Sequence, residues 1–403
     1  MEFVHYSPDM SFTEVPYRVF DCDQHLYETT ESFTRHLPDE YRDALRIAEV
    51  DGRKKVLIRG RVSEYIPNPT FEVVAAPGSG MEYFSAKNTE GKTFREIVTP
   101  IRAIPEFSDV ESRLELMDEM HVDAVVNFPT LASLIEVNFM DDPVTTQALI
   151  RAFNRWLDDE WGFDHAGRIF TTPVMNLAIV EGAVAELEWA LERGAKTVLV
   201  RPAPVAGWHS SRSPFLPEFD PFWAGVQEAG IPVMLHASDS GYQRYANDWL
   251  GMSREMHPFK PDVFSIMATK ERAIIDSVFS AIGHGMLSRF PGVRLGSIEN
   301  GSKWITTVKA GLIDAYGKLP QEFAEHPLDV LARQLWVAPF WEDPLEPLMD
   351  AVGLDHIIFN SDWPHPEGLA DPCSYIDFCH EADMSDDAIE KIMGENMFEL
   401  MGV

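Results

Sequence analysis

Cysteine is scarce in this chain of 403 residues, where Cys22, Cys373 and Cys379 occur without any Cys-x-x-Cys pair. This usage fits a reducing compartment and argues against a zinc–thiolate site. The sequence also lacks an apolar run of the roughly 20 residues that span a bilayer, and residues 1–16 lack the features of a secretory signal. We therefore expect a cytoplasmic protein in which any metal ligands are nitrogen and oxygen atoms.

Basic residues are also few, since 33 lysines and arginines stand against 65 aspartates and glutamates, for a formal net charge of -32. Nucleic acids and anionic membrane surfaces bind to basic faces, so both are excluded as expected partners. Apolar residues make up 45% of the chain, which is enough for a large buried core. The composition favours a globular protein with a small-molecule substrate.

Short apolar stretches alternate with longer helical patterns through most of the chain, as in proteins with a parallel β-sheet. Eight strands are predicted, at residues 17–23, 124–129, 169–176, 197–201, 231–236, 293–299, 335–338 and 356–361. Helices are predicted at residues 144–161, 180–193, 221–229, within 270–290, and at 302–316 and 344–352. This α/β pattern predicts a (β/α)8 TIM barrel that forms a single domain over residues 1–403.

The alternation is interrupted between residues 31 and 111. Residues 54–66 have the pattern of a β-hairpin, and proline and glycine recur through residues 66–91. A connection of this length inside a domain is usually functional or a small subdomain. We expect an insertion after the first strand that either covers the mouth of the barrel or serves oligomerisation, with equal weight on the two.

Acidic residues and histidines stand at the ends of four predicted strands. The first strand leads into Asp21, Asp23 and His25, which alternate and would share one face of an extended chain. The fifth, sixth and eighth strands lead into His236, Glu299 and Asp362. Because active sites of TIM barrels lie at the carboxyl ends of the strands, these side chains predict a cation site. Carboxylate and imidazole ligands suit Zn, Mn or divalent Fe.

Three segments resemble the amidohydrolase-related proteins of the amidohydrolase superfamily, which include aminocarboxymuconate semialdehyde and resorcylate decarboxylases. They are residues 21–28 (DCDQHLYE), 289–301 (RFPGVRLGSIENG) and 359–368 (FNSDWPHPEG), together with His236. The resemblance implies a metal-dependent TIM barrel that carries out hydrolysis or non-oxidative decarboxylation. It also implies that Asp23, His25, His236 and Asp362 hold one metal ion.

Glu299 departs from that family, in which a catalytic histidine commonly follows the Arg-Phe-Pro turn. A carboxylate adds negative charge to an acidic site and calls for a second cation or a proton. Glu299, His365 and Glu28 are candidate ligands of a second ion, with Asp362 or a water molecule between the two ions. Segments 65–70, 153–157 and 161–163 resemble amidohydrolase-like proteins that use paired iron or manganese to activate oxygen.

Four further residues carry open alternatives. Asp21 is expected to orient His25 rather than bind metal directly, and Glu28 is either a ligand or the cap of a turn. Arg201 follows the fourth strand, where it would bind a substrate carboxylate or form an ion pair in the barrel. Trp363 lies in the loop after Asp362 and would either wall the substrate pocket or pack in the interior.

Three functions follow from these residues. The first is a metal-dependent hydrolase or decarboxylase in which Glu299 moves protons beside Asp362 and His365. The second is a dinuclear Fe/Mn oxygenase that hydroxylates a small substrate and receives electrons from a reductase partner. The third is a metal-bearing subunit of a hetero-oligomer. We expect the chain to form a homo- or hetero-oligomer.

Overall fold

Strands alternate with helices through most of the chain in the structure, a computed structural model that describes residues 11–65, 68–88, 90–207 and 209–403. The strands are β1 (Phe20–Leu26), β2 (Leu45–Val50), β3 (Arg53–Ile58), β4 (Arg61–Val62), β5 (Val73–Ala75), β6 (Pro100–Arg102), β7 (Ala124–Pro129), β8 (Ile169–Thr171), β9 (Val174–Met175), β10 (Val198–Val200), β11 (Val233–His236), β12 (Leu295–Ile298) and β13 (Leu335–Val337).

The helices that surround these strands are mostly short. They are α1 (Met81–Phe84), α2 (Phe94–Ile97), α3 (Val110–Glu119), α4 (Ser133–Asn138), α5 (Pro143–Glu160), α6 (Val180–Leu191), α7 (Asp220–Ala229), α8 (Gln243–Leu250), α9 (Val263–Thr269), α10 (Arg272–Gly283), α11 (Met286–Arg289), α12 (Ile305–Lys318), α13 (Pro327–Gln334), α14 (Leu345–Val352), α15 (Tyr375–Glu381), α16 (Asp386–Glu390) and α17 (Asn396–Met401). Among the described helices, none combines the length and apolar character that crossing a membrane requires.

Two parallel sheets carry the functional strand ends. One has the order β1-β7-β8 and the other the order β13-β12-β11-β10-β9. Residues 169–175 join them, because β8 pairs with β7 and β9 pairs with β10. Residues 357–363 join them on the other side, where Ile358 N donates to Val337 O (3.1 Å) and Cys22 N donates to Phe359 O (2.9 Å). The predicted α/β class is confirmed, and these pairings have the order that a (β/α)8 barrel requires.

Some predicted boundaries were wrong. The strand predicted at 169–176 is divided at Thr172 and Pro173, where the proline lacks an N–H for the ladder. The strand predicted at 356–361 is irregular, with single parallel bridges at Ile357 and Trp363. The first strand starts at Phe20 and runs through His25, since His25 N donates to Trp363 O. In contrast, the helix predicted within 270–290 is present as α10 (Arg272–Gly283), and it ends before Gly285, which has a φ of +71°.

The segment between β1 and α3 forms two small antiparallel sheets. Strands β2, β3 and β4 make one, and β5 and β6 make the other. The turns Asp51-Gly52 and Arg59-Gly60 have positive φ at both residues, as two-residue hairpin turns do. The hairpin predicted at 54–66 corresponds to β3 and β4, whereas the β2 strand was missed. Val56 and Ile58 are buried in the main core, so this segment packs onto the rest of the molecule.

A separate apolar cluster fills the space between the strands. Alternate residues of β1 and β7, including Phe20, Cys22 and Phe128, contribute to it. Helix α17 adds Met397 and Leu400 from the C-terminal end of the chain. The polar residues described below lie at the carboxyl ends of the strands, outside this apolar cluster.

Candidate metal centre

Asp23, His25 and His236 converge at the carboxyl ends of β1 and β11. His236 Nε2 lies 3.2 Å from His25 Nε2 and 3.3 Å from Asp23 Oδ1. His25 Nε2 lies 3.4 Å from Asp23 Oδ1. All three residues are buried, and their ligand atoms lie within 4.8 Å of one another. The structure therefore brings together the three predicted ligands from these two strands.

Asp362 and Glu299 lie beside this group. Asp362 Oδ1 is 3.4 Å from His25 Nε2, and Glu299 Oε2 is 3.2 Å from His236 Nε2 and 4.0 Å from His25 Nε2. Ligand atoms placed about 2.0 to 2.2 Å from one metal ion lie about 3 to 3.4 Å apart in tetrahedral or octahedral geometry. Most of the distances in this cluster match that separation.

A second set of donors adjoins the first. His365 Nδ1 lies 2.8 Å from Asp362 Oδ1, and His25, Asp362 and His365 form a compact group. Glu299, Asp362 and Glu367 form another. Asp362 belongs to both groups, as expected of a residue between two ions. Glu367 was missed by the sequence analysis, although it lies in the same 359–368 segment as Asp362 and His365.

An unpaired polar atom of this cluster fits a cation. Asp23 Oδ2 is buried without a hydrogen-bond partner among the described residues. Buried polar atoms normally have partners, and buried carboxylates are normally paired or coordinated. The donors are nitrogen and carboxylate oxygen atoms, which suit Zn, Mn or Fe.

The electrostatics of the cluster disfavour several ionised carboxylates at once. Burial, followed by the neighbouring charge of Asp362, holds the pKa of Glu299 well above its usual range. Burial and the charges of Glu367 and Asp23 do the same to the pKa of Asp362. Burial and the nearby His365 hold the pKa of His25 well below its usual range. A cation would relieve the repulsion among these carboxylates.

The backbone at two of these residues is unusual. Glu299 and Asp362 both have a φ of 55°, in the left-handed region that few residues other than glycine adopt. Asn300 supports the backbone conformation at Glu299, since its Nδ2 donates to Leu235 O (2.9 Å) and Ile298 O (2.8 Å). Such backbone conformations concentrate at functional sites.

A cavity of about 880 Å³ opens above the cluster. His25, His236, Glu299, His365 and Glu367 line it at the cluster. Residues of the segment between β1 and α3 line it as well, among them Phe71, Phe84 and Phe94. A small molecule in this cavity would therefore meet the candidate metal ligands directly.

Comparison with known proteins identifies the family. Residues 20–400 match the family model described as Amidohydrolase. The chain belongs to this amidohydrolase family. An amidohydrolase of known structure from Mycobacterium avium subsp. paratuberculosis K-10 is 38% identical, with a TM-score of 0.91 over 97% of this chain and 99% of that one. The resemblance seen in the sequence is thus confirmed.

More distant structures share the fold of this amidohydrolase. A 5-carboxyvanillate decarboxylase from Sphingomonas paucimobilis is 14% identical with a TM-score of 0.58, covering 96% of this chain and 99% of that one. A dihydroxybenzoic acid decarboxylase from Polaromonas sp. JS666, crystallised with manganese and 2-nitroresorcinol, is 17% identical with a TM-score of 0.55 over 81% and 94% of the two chains. No curated protein matches the sequence. These structural neighbours imply a TIM barrel.

Asp21 supports the amidohydrolase site through hydrogen bonds to the chain segments that carry its candidate ligands. Its Oδ1 accepts hydrogen bonds from Asp23 N (3.2 Å) and Ser361 N (2.9 Å), and its Oδ2 accepts from Gln24 Nε2 (2.9 Å) and Ser361 Oγ. Burial raises the pKa of Asp21 to about 7. These bonds connect β1, which carries Asp23, to the segment that carries Asp362. Asp21 was expected to orient His25, and none of these bonds goes to His25.

Arg201 and Trp363 differ in their access to the cavity. Arg201 lines it, and its guanidinium is committed to Glu136 Oε2 (3.3 Å) and to the carbonyl of Asp239 (3.0 Å). Trp363 is fully buried and lies outside the described cavity lining, with its ring 5.3 Å from Phe107. The ion-pair alternative for Arg201 and the packing alternative for Trp363 agree with these contacts.

Glu28 lies outside the three donor groups. Its Oε1 accepts a hydrogen bond from Leu131 N (2.6 Å), and its Oε2 is buried without a partner among the described residues. Burial raises the pKa of Glu28 from 4.5 to about 8, although the bond from Leu131 opposes the shift. Its contacts match those of a structural residue next to the site.

Glu28→Gln should flatten the dependence of stability on pH. The folded protein holds a proton on Glu28 that the unfolded chain releases above pH 4.5, so the free energy of unfolding falls as pH rises from about 4.5 to about 8. Glutamine keeps the bond from Leu131 and cannot ionise, and it should remove on the order of a few kcal/mol from that fall. Denaturant unfolding of chelator-treated protein at pH 5 and pH 8 measures it. An equal fall in both proteins would contradict the assignment.

Gly368→Ala should disturb the turn that holds Asp362. A Cβ at position 368 would lie 2.3 Å from Ser361 O and 2.8 Å from Asp362 O. We expect the free energy of unfolding to drop by about 1 to 3 kcal/mol, and metal affinity to drop with it. Gly317→Ala is the control, because nothing lies within 4 Å of a Cβ there. Equal stability of the two variants in denaturant unfolding would refute the steric argument.

Proposed function

We propose that the protein is a divalent-metal-dependent enzyme on a (β/α)8 barrel, which hydrolyses or non-oxidatively decarboxylates a small organic molecule. The observation that carries this proposal is the buried cluster of Asp23, His25 and His236 at one end of the cavity. Membership of the amidohydrolase family and the decarboxylases among its structural neighbours support the same class of reaction.

The residues have separate roles in this proposal. Asp23, His25, His236 and Asp362 would hold the ion, which when bound lowers the pKa of water and polarises a carbonyl or carboxyl oxygen. Glu299 lines the cavity, and its side chain is 21% exposed, in contrast to the buried Asp23. Glu299 is therefore placed to exchange a proton with a substrate, as the base in hydrolysis or the acid in decarboxylation.

The segment of residues 31–111 acts in this proposal as the cover of the active site. Phe71, Phe84 and Phe94 belong to it and line the cavity. They would limit the access of water to a bound substrate by covering part of the cavity with apolar surface. A dry site strengthens the electrostatic interactions at the cluster.

A second candidate is the dinuclear oxygenase. The observation that favours it is the position of Asp362, which belongs both to the group with His25 and His365 and to the group with Glu299 and Glu367. Two redox-active ions in these groups would reduce dioxygen with electrons from a reductase. Under this candidate Glu299 is a ligand rather than a proton carrier.

Elemental analysis separates the two candidates. The protein is expressed with iron, manganese and zinc available, and oxygen consumption is then measured with a chemical reductant. About one equivalent of metal without oxygen uptake supports the hydrolase or decarboxylase. About two equivalents that include iron or manganese, with oxygen uptake, support the oxygenase. Glu367→Gln should lower the metal content only in the second case, and a protein that binds no divalent metal would overturn both.

A further inference from the structure

The cavity is large for the reactions that its cluster supports. Ligand pockets are commonly about 300 to 1,000 Å³, and this one holds about 880 Å³. At the packing density of protein interiors it has room for roughly twenty to thirty non-hydrogen atoms. A single-ring acid bound at the cluster would leave more than half of this volume without contacts.

Aromatic side chains form a large part of the cavity lining. Phe94 of the insertion stacks on Phe259 with a centroid separation of 4.7 Å, and Phe84 meets Phe94 edge to face at 5.6 Å. Phe71 stacks on Tyr27 at 4.5 Å. Two segments far apart in sequence, the insertion and the chain before α9, therefore close one apolar surface. Aromatic surfaces of this kind contribute binding energy to apolar ligands.

Several charged side chains of the described lining are paired with other residues, whereas Ser238 Oγ, His257 Nδ1 and Arg254 Nε are buried there without a hydrogen-bond partner among the described residues. Arg201 pairs with Glu136, and Arg254 pairs with Asp262. Asp239 accepts a hydrogen bond from Gly241 N at 3.0 Å. Lys270 also lines the cavity and is exposed. These few atoms would serve one or two polar groups of a substrate, and a body that is polar throughout would lose its hydration without an equal number of partners.

We infer that the substrate has an apolar body larger than one ring, such as a fused-ring or long aliphatic skeleton, with one oxygen-rich chelating group at its end. The chelating group faces His25 and His236, and the body lies against Phe84, Phe94 and Phe259. This inference rests on the proposed function for the chelating group alone. The apolar body follows from the walls of the cavity.

Three probes with the same chelating head test the inference. They are 2-hydroxybenzoate, 3-hydroxy-2-naphthoate and 3-hydroxyanthracene-2-carboxylate, which differ by one fused ring each. Calorimetric titration is carried out on the whole protein, both chelator-treated and loaded with Mn²⁺. We expect affinity to rise on the order of tenfold for each added ring, from the apolar area that each ring buries.

Variants that narrow the cavity test whether the preference for larger probes arises there. Ala273 lines it, and Ala273→Phe should reduce the preference for the three-ring over the one-ring probe to near unity. Ala75→Phe, on β5, provides a second narrowing variant if the first does not fold. Trp249→Ala is the control, because Trp249 is 68% exposed and lies outside the described lining. It should keep the wild-type preference.

The outcomes separate this inference from the proposed function. Metal binding with equal affinity for all three probes would overturn the large apolar substrate and leave the metal enzyme standing. A preference for larger probes without metal binding would overturn the metal enzyme and support the apolar cavity. An unchanged preference in both narrowing variants would show that the probes bind elsewhere and would also overturn the inference.

Discussion

His236→Ala should release the divalent metal and abolish turnover. His236 Nε2 lies 3.2 Å from His25 Nε2 and from Glu299 Oε2, and 3.3 Å from Asp23 Oδ1, so its loss removes the nitrogen donor that the other candidate ligands surround. Loss of groups that merely orient ligands costs about 10- to 100-fold in metal affinity or activity. We expect a larger loss here, measured as metal content after dialysis and as turnover.

A histidine outside the cluster is the control for this variant. His356 is half-buried and stacks on Trp336 with a centroid separation of 3.9 Å. His356→Ala should keep its metal even where it loses some stability, and thermal unfolding of both variants accounts for that loss. Metal content that stays at the wild-type level in folded His236→Ala would overturn the entire centre.

Glu299→Ala should abolish turnover whether the centre holds one ion or two. Its Oε2 lies 3.2 Å from His236 Nε2 and its side chain lines the cavity, where it is placed to exchange a proton with a substrate or to bind a second ion. The metal content then depends on its role. A proton carrier leaves the bound metal unchanged, whereas a ligand of a second ion takes the content from about two equivalents to one.

Glu299→Gln sharpens this result, because glutamine keeps the size of the side chain and cannot carry the proton or the negative charge. It should match Glu299→Ala in turnover while unfolding at nearly the temperature of the wild type. Wild-type turnover in Glu299→Gln would exclude the proton-carrier role, and an unchanged metal content in Glu299→Ala would exclude the ligand role.

The local pattern of the sequence predicted the strands that carry the ligands. His236 ends β11, and Glu299 directly follows β12, as the apolar stretches before them indicate. The approach of Asp23 to His236 joins residues 213 positions apart. The sequence predicts that approach only through the rule that parallel strands present their carboxyl ends together.

Side-chain direction was harder to predict. Glu28 follows β1 closely, yet it turns to Leu131 N because a backbone donor lies there in the folded chain. Trp363 is adjacent to Asp362 and packs beneath the site, with the Arg113 guanidinium 4.4 Å from its ring centroid. Contacts between segments decide these directions, and one sequence does not contain them.

Glu367 and the irregular eighth segment show a second limit. His365 was predicted from the sequence as a site residue and Glu367 was not, although Glu367 is two residues further along the same loop and belongs to the group with Glu299 and Asp362. Residues 357–363 hydrogen-bond to both neighbouring strands and bend at Asp362, so the regular ladder stops there. A periodic pattern predicts regular strands and does not locate such a bend.

The left-handed backbone at Glu299 and Asp362 bears on how this chain balances stability against activity. That backbone conformation is least unfavourable for glycine, asparagine and aspartate. The aspartate that the site needs at position 362 is thus also a residue that the backbone tolerates, whereas the glutamate at position 299 is not. A glutamate there costs about 1 kcal/mol or more of stability relative to glycine. The most stable sequence for this fold is therefore not its functional one, and stability-guided design would discard the acid on which the proposed chemistry depends.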